Sequence, residues 1–100
     1  MSKQRFTKII SDRFSVPKRR GGGIVKIEVW ENEDGAVVKY SFAYINHMLC
    51  SKDNGRVIGY DNTHNYHHKH YFGDIFPVDN FTDYESLLNQ FEEEIKEFMR

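Results

Sequence analysis

Alternating apolar and polar residues recur in three consecutive stretches of this chain, at residues 24–30, 36–48 and 56–62. The turns between them end in Asp34-Gly35 and Asn54-Gly55, residue pairs that are typical of tight β-hairpins. Because successive side chains of a strand point to opposite faces, this pattern predicts half-buried strands. The short turns predict that these strands join as an antiparallel meander.

Two further segments bear on the sheet. A short fourth strand is predicted at residues 68–72, after a tight connection at 63–67. Residues 6–16 are ambiguous, since their apolar side chains have helical spacing but the segment could also pair as a strand across the turn at 17–23. In the second stretch, one face is expected to carry Val38, Tyr40, Phe42, Tyr44 and Met48.

The C-terminal segment has the pattern of an amphipathic helix. Thr82 and Glu85 fit a capping box, in which a hydroxyl and a carboxylate satisfy the first free amide groups. One apolar stripe follows, made of Tyr84, Leu87, Leu88, Phe91, Ile95 and Phe98. A lone helix is marginal in water, so we expect it to dock on the sheet. The predicted fold is α+β: an antiparallel β-meander of about four to five strands with a C-terminal amphipathic helix packed on one face.

A chain of 100 residues suits a single domain, here predicted to span 1–100. We divide it into a basic N-terminal segment with a glycine-rich loop (1–23), the sheet (24–72) and the helix (82–99). Residues 1–23 hold seven basic side chains and one acidic, whereas residues 74–100 hold eight acidic and two basic. A basic end attracts phosphates and an acidic helix attracts basic partners, although both could simply be solvated surfaces.

The lack of a possible disulfide and of a membrane-spanning run predicts the cellular compartment. Cys50 is the single cysteine, so no intrachain disulfide can form, and a reducing cytoplasm is the natural setting. No apolar run is long enough to span a bilayer. We therefore expect a cytoplasmic protein without membrane contact.

Four of the five histidines fall within seven residues, between His64 and His70. Histidine exchanges protons near neutral pH and is a common metal ligand, so this density points to proton-transfer chemistry or metal binding. The candidate catalytic residues are Asp61, His64, His67, His68 and His70. The candidate substrate-binding residues are Arg56, Asn62, Tyr66 and Lys69.

In the favoured interpretation, His68 and His70 are the acid–base pair of an RNA-cleaving enzyme. Asp61 and His64 would assist or orient them, and Arg56 or Lys69 would bind phosphate. This requires the imidazoles to converge in one solvent-reachable pocket. The isolated His47 is not expected to take part.

Two alternatives to acid–base catalysis remain open. His68 and His70 with His64 or Asp61 could ligate a metal in a metal-dependent hydrolase. The chain could also be a non-enzymatic module that binds protein or nucleic acid, with the histidines as pH-sensitive contacts. Under the favoured interpretation no cofactor and no metal is needed.

The chain also resembles the TumE-type toxins of prokaryotic toxin–antitoxin modules. The motif is Tyr60-Asp61-Asn62-Thr63-His64 followed by His67-His68-Lys69-His70, and the resemblance covers nearly the whole chain. It implies a small cytoplasmic toxin that arrests growth and is neutralised by a cognate helix-turn-helix antitoxin. With the histidine cluster, it leads us to expect a type II toxin that acts as an mRNA-interferase-like endoribonuclease on RNA. A homodimer is compatible with the sequence.

Overall fold

The computed structural model describes residues 5–99, which form one six-stranded sheet and one α-helix. Residues 1–4 and 100, including Lys3 of the basic segment, lie outside the described residues. The strands are all antiparallel and lie in the sheet in chain order. They are β1 (Thr7–Ser15), β2 (Ile24–Glu31), β3 (Val37–Ile45), β4 (Arg56–Asp61), β5 (His68–Tyr71) and β6 (Asp74–Pro77). Helix α1 (Tyr84–Ile95) follows and runs into a short 3₁₀ turn, Lys96–Phe98.

The α+β class and the meander are confirmed, with six strands instead of four to five. The sheet extends beyond residues 24–72 at both ends. The ambiguous N-terminal segment is strand β1, because it pairs with β2 through contacts such as Phe14 opposite Val25. Strand β6 follows β5 across a two-residue turn in which Phe72 and Gly73 have φ of 47° and 88°. Such left-handed turns fit the twist of a hairpin, but phenylalanine rarely marks them in a sequence.

The second stretch ends earlier than its pattern predicted. Strand β3 stops at Ile45, and Met48 is 93% exposed instead of sharing the apolar face. The side chain of Asn46 accepts a hydrogen bond from the backbone N–H of Met48 at 3.0 Å, which turns the chain away from the sheet.

One face of the sheet holds the apolar core. Ile27, Phe42 and Tyr60 lie opposite one another on β2, β3 and β4, so their side chains share this face. Helix α1 lies across them, with the Phe91 ring centroid 5.9 Å from that of Phe42 and 6.4 Å from that of Tyr60. The buried Leu87 completes this contact one turn before Phe91. The apolar stripe of the helix and the apolar face of the strands thus bury each other.

The helix begins at a different cap from the one predicted. Asp83, not Thr82, has the extended N-cap conformation, and its Oδ1 accepts from the backbone N–H of Ser86 at 2.7 Å. The regular helix ends at Ile95, so the predicted range 82–99 includes residues outside it. No helix in residues 5–99 is both long and apolar enough to cross a membrane.

We expect Phe91→Ala to lower the free energy of unfolding by about 3–5 kcal/mol, because it removes a fully buried ring and leaves a cavity between helix and sheet. Urea unfolding monitored by circular dichroism measures this loss. Phe76→Ala is the matched control, since Phe76 is 47% exposed and its change should stay within about 0.5 kcal/mol. Equal effects of the two changes would contradict the proposed core.

Candidate functional site

The candidate site lies on the sheet face that points away from α1. Asp61 at the end of β4 is directly opposite His68 on β5, and His70 is opposite Gly59. Tyr60 and Lys69, which alternate with these residues, face the helix side. Strand alternation therefore brings Asp61, His68 and His70 together, as the sequence predicted.

The carboxylate of Asp61 is the centre of this cluster. Its Oδ1 lies 2.7 Å from His68 Nε2, and its Oδ2 lies 3.0 Å from His70 Nε2. Arg56 Nη1 donates to Oδ2 at 3.3 Å, and the backbone N–H of Thr63 donates to Oδ1 at 3.0 Å. A buried carboxylate is costly unless it is paired, and these contacts supply the pairing.

The two imidazoles differ at their other nitrogen atom. His68 Nδ1 lies 3.2 Å from the carbonyl oxygen of Tyr66, so both of its neighbours are acceptors. The ring can donate to both only when both nitrogens carry a proton. His70 Nδ1 lies 3.0 Å from Asp53 Oδ2, but the direction is wrong for a hydrogen bond, and this buried atom is unpaired.

Arg56 and Asp53 form the outer rim of the cluster. The guanidinium donates to Asp53 through two bonds, from Nε at 2.9 Å and from Nη2 at 3.1 Å. Its aliphatic part runs over Gly59, where an added Cβ would lie 2.7 Å from Arg56 Cδ and 2.7 Å from the Phe42 carbonyl oxygen. Glycine at position 59 therefore gives Arg56 the room to reach both aspartates.

The environment shifts two pKa values within the cluster. Burial by itself would raise the pKa of Asp61, but hydrogen bonds from Thr63 and the nearby His68 and His70 outweigh it, so this pKa lies below its ordinary value. Burial and the positive charge of Arg56 hold the pKa of His70 below its ordinary value, against the opposing effect of Asp61 and Asp53. The two carboxylates favour the charged ring, but burial and Arg56 have the larger effect.

The cluster is enclosed, which differs from the expected solvent-reachable pocket. Asp61, His68 and His70 are 6%, 4% and 7% exposed. The half-exposed ring of Tyr66 covers His68 with a centroid distance of 4.6 Å. Beside the rim, Arg56 and Asp53 border a depression of about 210 Å³ on the same sheet face. Side chains from neighbouring strands bond to one another, and these contacts close the cluster to solvent.

Two predicted site residues lie on the other face of the sheet. His67 stacks on Phe81 at 3.6 Å between centroids, and its Nδ1 is 2.7 Å from the Tyr40 hydroxyl. Lys69 donates to Glu94 of α1 at 2.6 Å. Neither joins the Asp61 cluster, because each alternates with His68 along the chain.

The remaining predicted residues lie at the turn after β4. His64 is exposed in a 3₁₀ turn with φ of 63° and stands apart from the cluster. The Asn62 amide bonds to the backbone of β3, donating to Val38 O at 3.0 Å and accepting from Tyr40 N at 3.1 Å. It therefore extends the pairing of β3 and β4. His47 lies in the turn after β3, outside the cluster.

Asp53 is a member of the cluster that the sequence interpretation missed. It was assigned only to the Asp53-Asn54-Gly55 turn, yet it lies beside His70 and binds Arg56. The available signal was its spacing of three residues before Arg56, a common ion-pair spacing where the chain turns. The contact with His70 comes from β5, which no local pattern reveals.

The same donor atoms could hold a metal ion. One atom each from Asp61, His68 and His70 lies within 4.8 Å of the others, and all three residues are buried. Imidazole nitrogen and carboxylate oxygen are ordinary ligands of zinc and related transition metals. The donor set thus fits a three-ligand centre, with Asp53 beside it.

Comparison with known families identifies the chain as a toxin. The family model described as Toxin TumE matches residues 7–99, from β1 to the end of the described chain. The chain belongs to this family, which confirms the resemblance predicted from the histidine motif. No curated protein and no solved structure matches the chain.

The free energy of unfolding should depend on pH, and the buried histidines determine the direction of this dependence. Burial keeps the pKa of both His67 and His70 below the ordinary value of 6.5. Unfolding restores that value, so the unfolded chain binds more protons, and the free energy of unfolding should fall as pH decreases below about 6.5. Urea unfolding at about pH 7.5 and 5.5 tests this. A midpoint that is higher at the lower pH would contradict it, and His67→Gln should show a weaker dependence.

Proposed function

We propose that this toxin arrests growth by cleaving RNA at the cluster of Asp61, His68 and His70. The observation that carries the proposal is the state of His70. Its Nε2 is held by Asp61, while its buried Nδ1 makes no hydrogen bond, although Asp53 Oδ2 lies 3.0 Å away. A carboxylate that fixes one imidazole nitrogen and leaves the other as a base is the arrangement of a catalytic dyad.

In the proposed reaction, His70 Nδ1 takes the proton of a ribose 2′-hydroxyl. The 2′-oxygen forms a bond to the adjacent phosphorus as the bond from phosphorus to the 5′-oxygen breaks. His68, whose nitrogens both face acceptors, supplies the proton to the departing 5′-oxygen. The products are a 2′,3′-cyclic phosphate and a 5′-hydroxyl end.

Arg56 is the group proposed to bind the reacting phosphate. It is partly exposed at the rim and divides its donors between Asp53 and Asp61. A phosphate would compete with Asp53 for the guanidinium, which would also uncover His70 Nδ1. Arginine suits this role because its planar donors match phosphate oxygens and stabilise their charge in the transition state. Since Lys69 is bound to Glu94 on the other face, Arg56 is preferred over it.

The biological role we propose is that of a cytoplasmic toxin in a type II pair. Its partner would be a helix-turn-helix antitoxin that binds the toxin protein and restores growth. Family membership supports a toxin with an antitoxin in general. Co-expression of the adjacent reading frame, followed by co-purification of the two proteins, tests the type of partner.

We expect His70→Gln to abolish growth arrest in a bacterial host, because glutamine lacks a titrating nitrogen at the Nδ1 position. His47→Gln is the matched control and should leave growth arrest unchanged, since His47 is exposed in another turn. Growth curves after induction, with protein levels checked, measure the effect. Growth arrest that survives His70→Gln would instead favour a non-enzymatic binding module. His64→Gln in the same assay tests the predicted role of that exposed residue.

The chemistry of the substrate gives an independent check. A ribo-oligonucleotide should be cut by the purified toxin in the presence of chelator, whereas the same oligonucleotide with 2′-deoxyribose throughout should resist. Cleavage of the deoxy substrate would contradict attack by the 2′-hydroxyl.

A metal-dependent hydrolase is the second candidate. It is favoured by the convergence of buried Asp61, His68 and His70 donors within 4.8 Å. A bound metal would polarise the phosphate or activate water there. Stoichiometric zinc, nickel or manganese in elemental analysis, with loss of RNA cleavage in chelator, would replace the acid–base proposal with this one.

A further inference from the structure

A second cavity lies on the helix side of the sheet, and the proposed reaction does not use it. It has a volume of about 530 Å³ and is bordered by Val37, Tyr40, His67, Phe81, Tyr84 and Asp83. Cavities of a few hundred Å³ with apolar walls and few polar groups are typical of small-ligand sites. This one lies between β3, the start of β5 and the first turn of α1.

The cavity wall is a set of nearly parallel rings. His67 and Phe81 are stacked at 3.6 Å and 11°, while Tyr40 lies 6.0 Å from Phe81 at 3° and 5.7 Å from His67 at 13°. Because the planes of the three rings lie within 13° of one another, the rings offer flat faces and edges to a further planar ring. Such surfaces favour a stacked heterocycle over a branched aliphatic group.

The polar groups of the wall are matched to a neutral ligand. Burial and the nearby Asp61 raise the pKa of Tyr40, so its hydroxyl is neutral. The Tyr40 hydroxyl lies 2.7 Å from His67 Nδ1, and the tautomer of His67 decides which of the two groups donates. Asp83, whose carboxylate accepts from Ser86 as the helix cap, also borders the cavity.

The charge of the wall argues against phosphate as the ligand. No lysine or arginine borders the cavity in the described chain, and Asp83 would repel an anion. A base presents a flat ring, a carbonyl or ring nitrogen for a donor, and, except in uracil, an amino group for a carboxylate.

The cavity is one residue away from the proposed catalytic cluster. Asn62 and His67, which border the cavity, are the chain neighbours of Asp61 and His68. Those two catalytic residues face each other across β4 and β5. The two sites therefore lie on opposite faces of the same end of this hairpin, with the exposed turn Thr63–Asn65 between them.

We propose that this aromatic cavity binds a nucleobase of the RNA whose phosphate is cut at the Asp61 cluster. This rests on the proposed RNA cleavage and adds a base-binding subsite to it. The RNA passes over the Thr63–Asn65 turn, with a base packed against the outer side of the stacked Phe81–His67 pair and the scissile phosphate at Arg56.

Binding of a 2′-O-methyl oligonucleotide, which has no 2′-hydroxyl to attack, tests the proposal with the full-length protein. Phe81→Leu keeps apolar volume but removes the aromatic face, so affinity should fall about fivefold or more by fluorescence anisotropy. His67→Gln, which removes the stacked partner of Phe81, should weaken binding in the same direction. Tyr71→Leu is the control, since Tyr71 is an exposed ring away from the cavity and should bind as the wild type does. Thermal unfolding checks that each variant is folded.

An oligonucleotide with abasic residues separates base stacking from backbone contacts. The wild type and Phe81→Leu should bind it equally, because the ring has no base to contact. Equal affinity of Phe81→Leu and wild type for the intact oligonucleotide overturns the base-binding site while leaving cleavage to stand. A Phe81-dependent affinity without any cleavage supports the site and removes the proposed reaction. If no oligonucleotide binds, both the base-binding site and the proposed cleavage are overturned. If the protein binds only an aromatic peptide, the cavity is assigned to a protein partner.

Discussion

The buried Asp61 carboxylate is the interaction on which the polar half of this molecule depends. Four donors converge on it from three places in the chain: Arg56 before it, Thr63 after it, and His68 and His70 across the sheet. A charge with this little exposure survives only when its partners are fixed. Each partner is held by a separate constraint, namely the β4–β5 register, the tight turn after β4 and the space above Gly59. The site is therefore preorganised, as electrostatic catalysis requires.

The pleat of β4 and β5 divides the histidine motif between two environments. His68 and His70 meet Asp61 on the face away from α1, whereas His67 and Lys69 join the aromatic and acidic groups on the helix side. One short sequence thus supplies the histidines of the Asp61 cluster, where we propose proton transfer, and part of an aromatic wall. This explains how a small chain can hold two distinct chemical surfaces at one end of a single hairpin. Helix α1 contributes to the second surface alone, through Tyr84 at its N-terminus and through Glu94, which binds Lys69.

Local patterns predicted the parts of the fold whose signals are local. The Asp-Gly and Asn-Gly turns located the β2–β3 and β3–β4 connections, and the apolar stripe with Phe91 located the helix on the sheet. The strand β1 was ambiguous because its helical spacing and its strand pairing are both compatible with the sequence. Pairing with β2 decided between them. The observed cap is Asp83 and not the predicted Thr82. Both side chains can accept from the first turn, and the backbone geometry selects one of them.

The histidine motif predicted three residues that lie together in the structure, Asp61, His68 and His70, but not their surroundings. Alternation implies that His68 and His70 share a face, since period-two geometry needs only the strand assignment, and a hairpin brings Asp61 near them. Sequence could not show that Asp53 lies beside His70 or that the cluster is enclosed, because both follow from contacts between separate strands. Nor could it reveal that His67 stacks with Phe81 and Tyr40, which come from distant segments. By itself, the sequence determined strand periodicity, turn positions and the supply of titrating groups, which are local properties of the chain. Only the tertiary structure decided which nitrogen atoms are paired and which rings are parallel, because those depend on register and on the docking of α1.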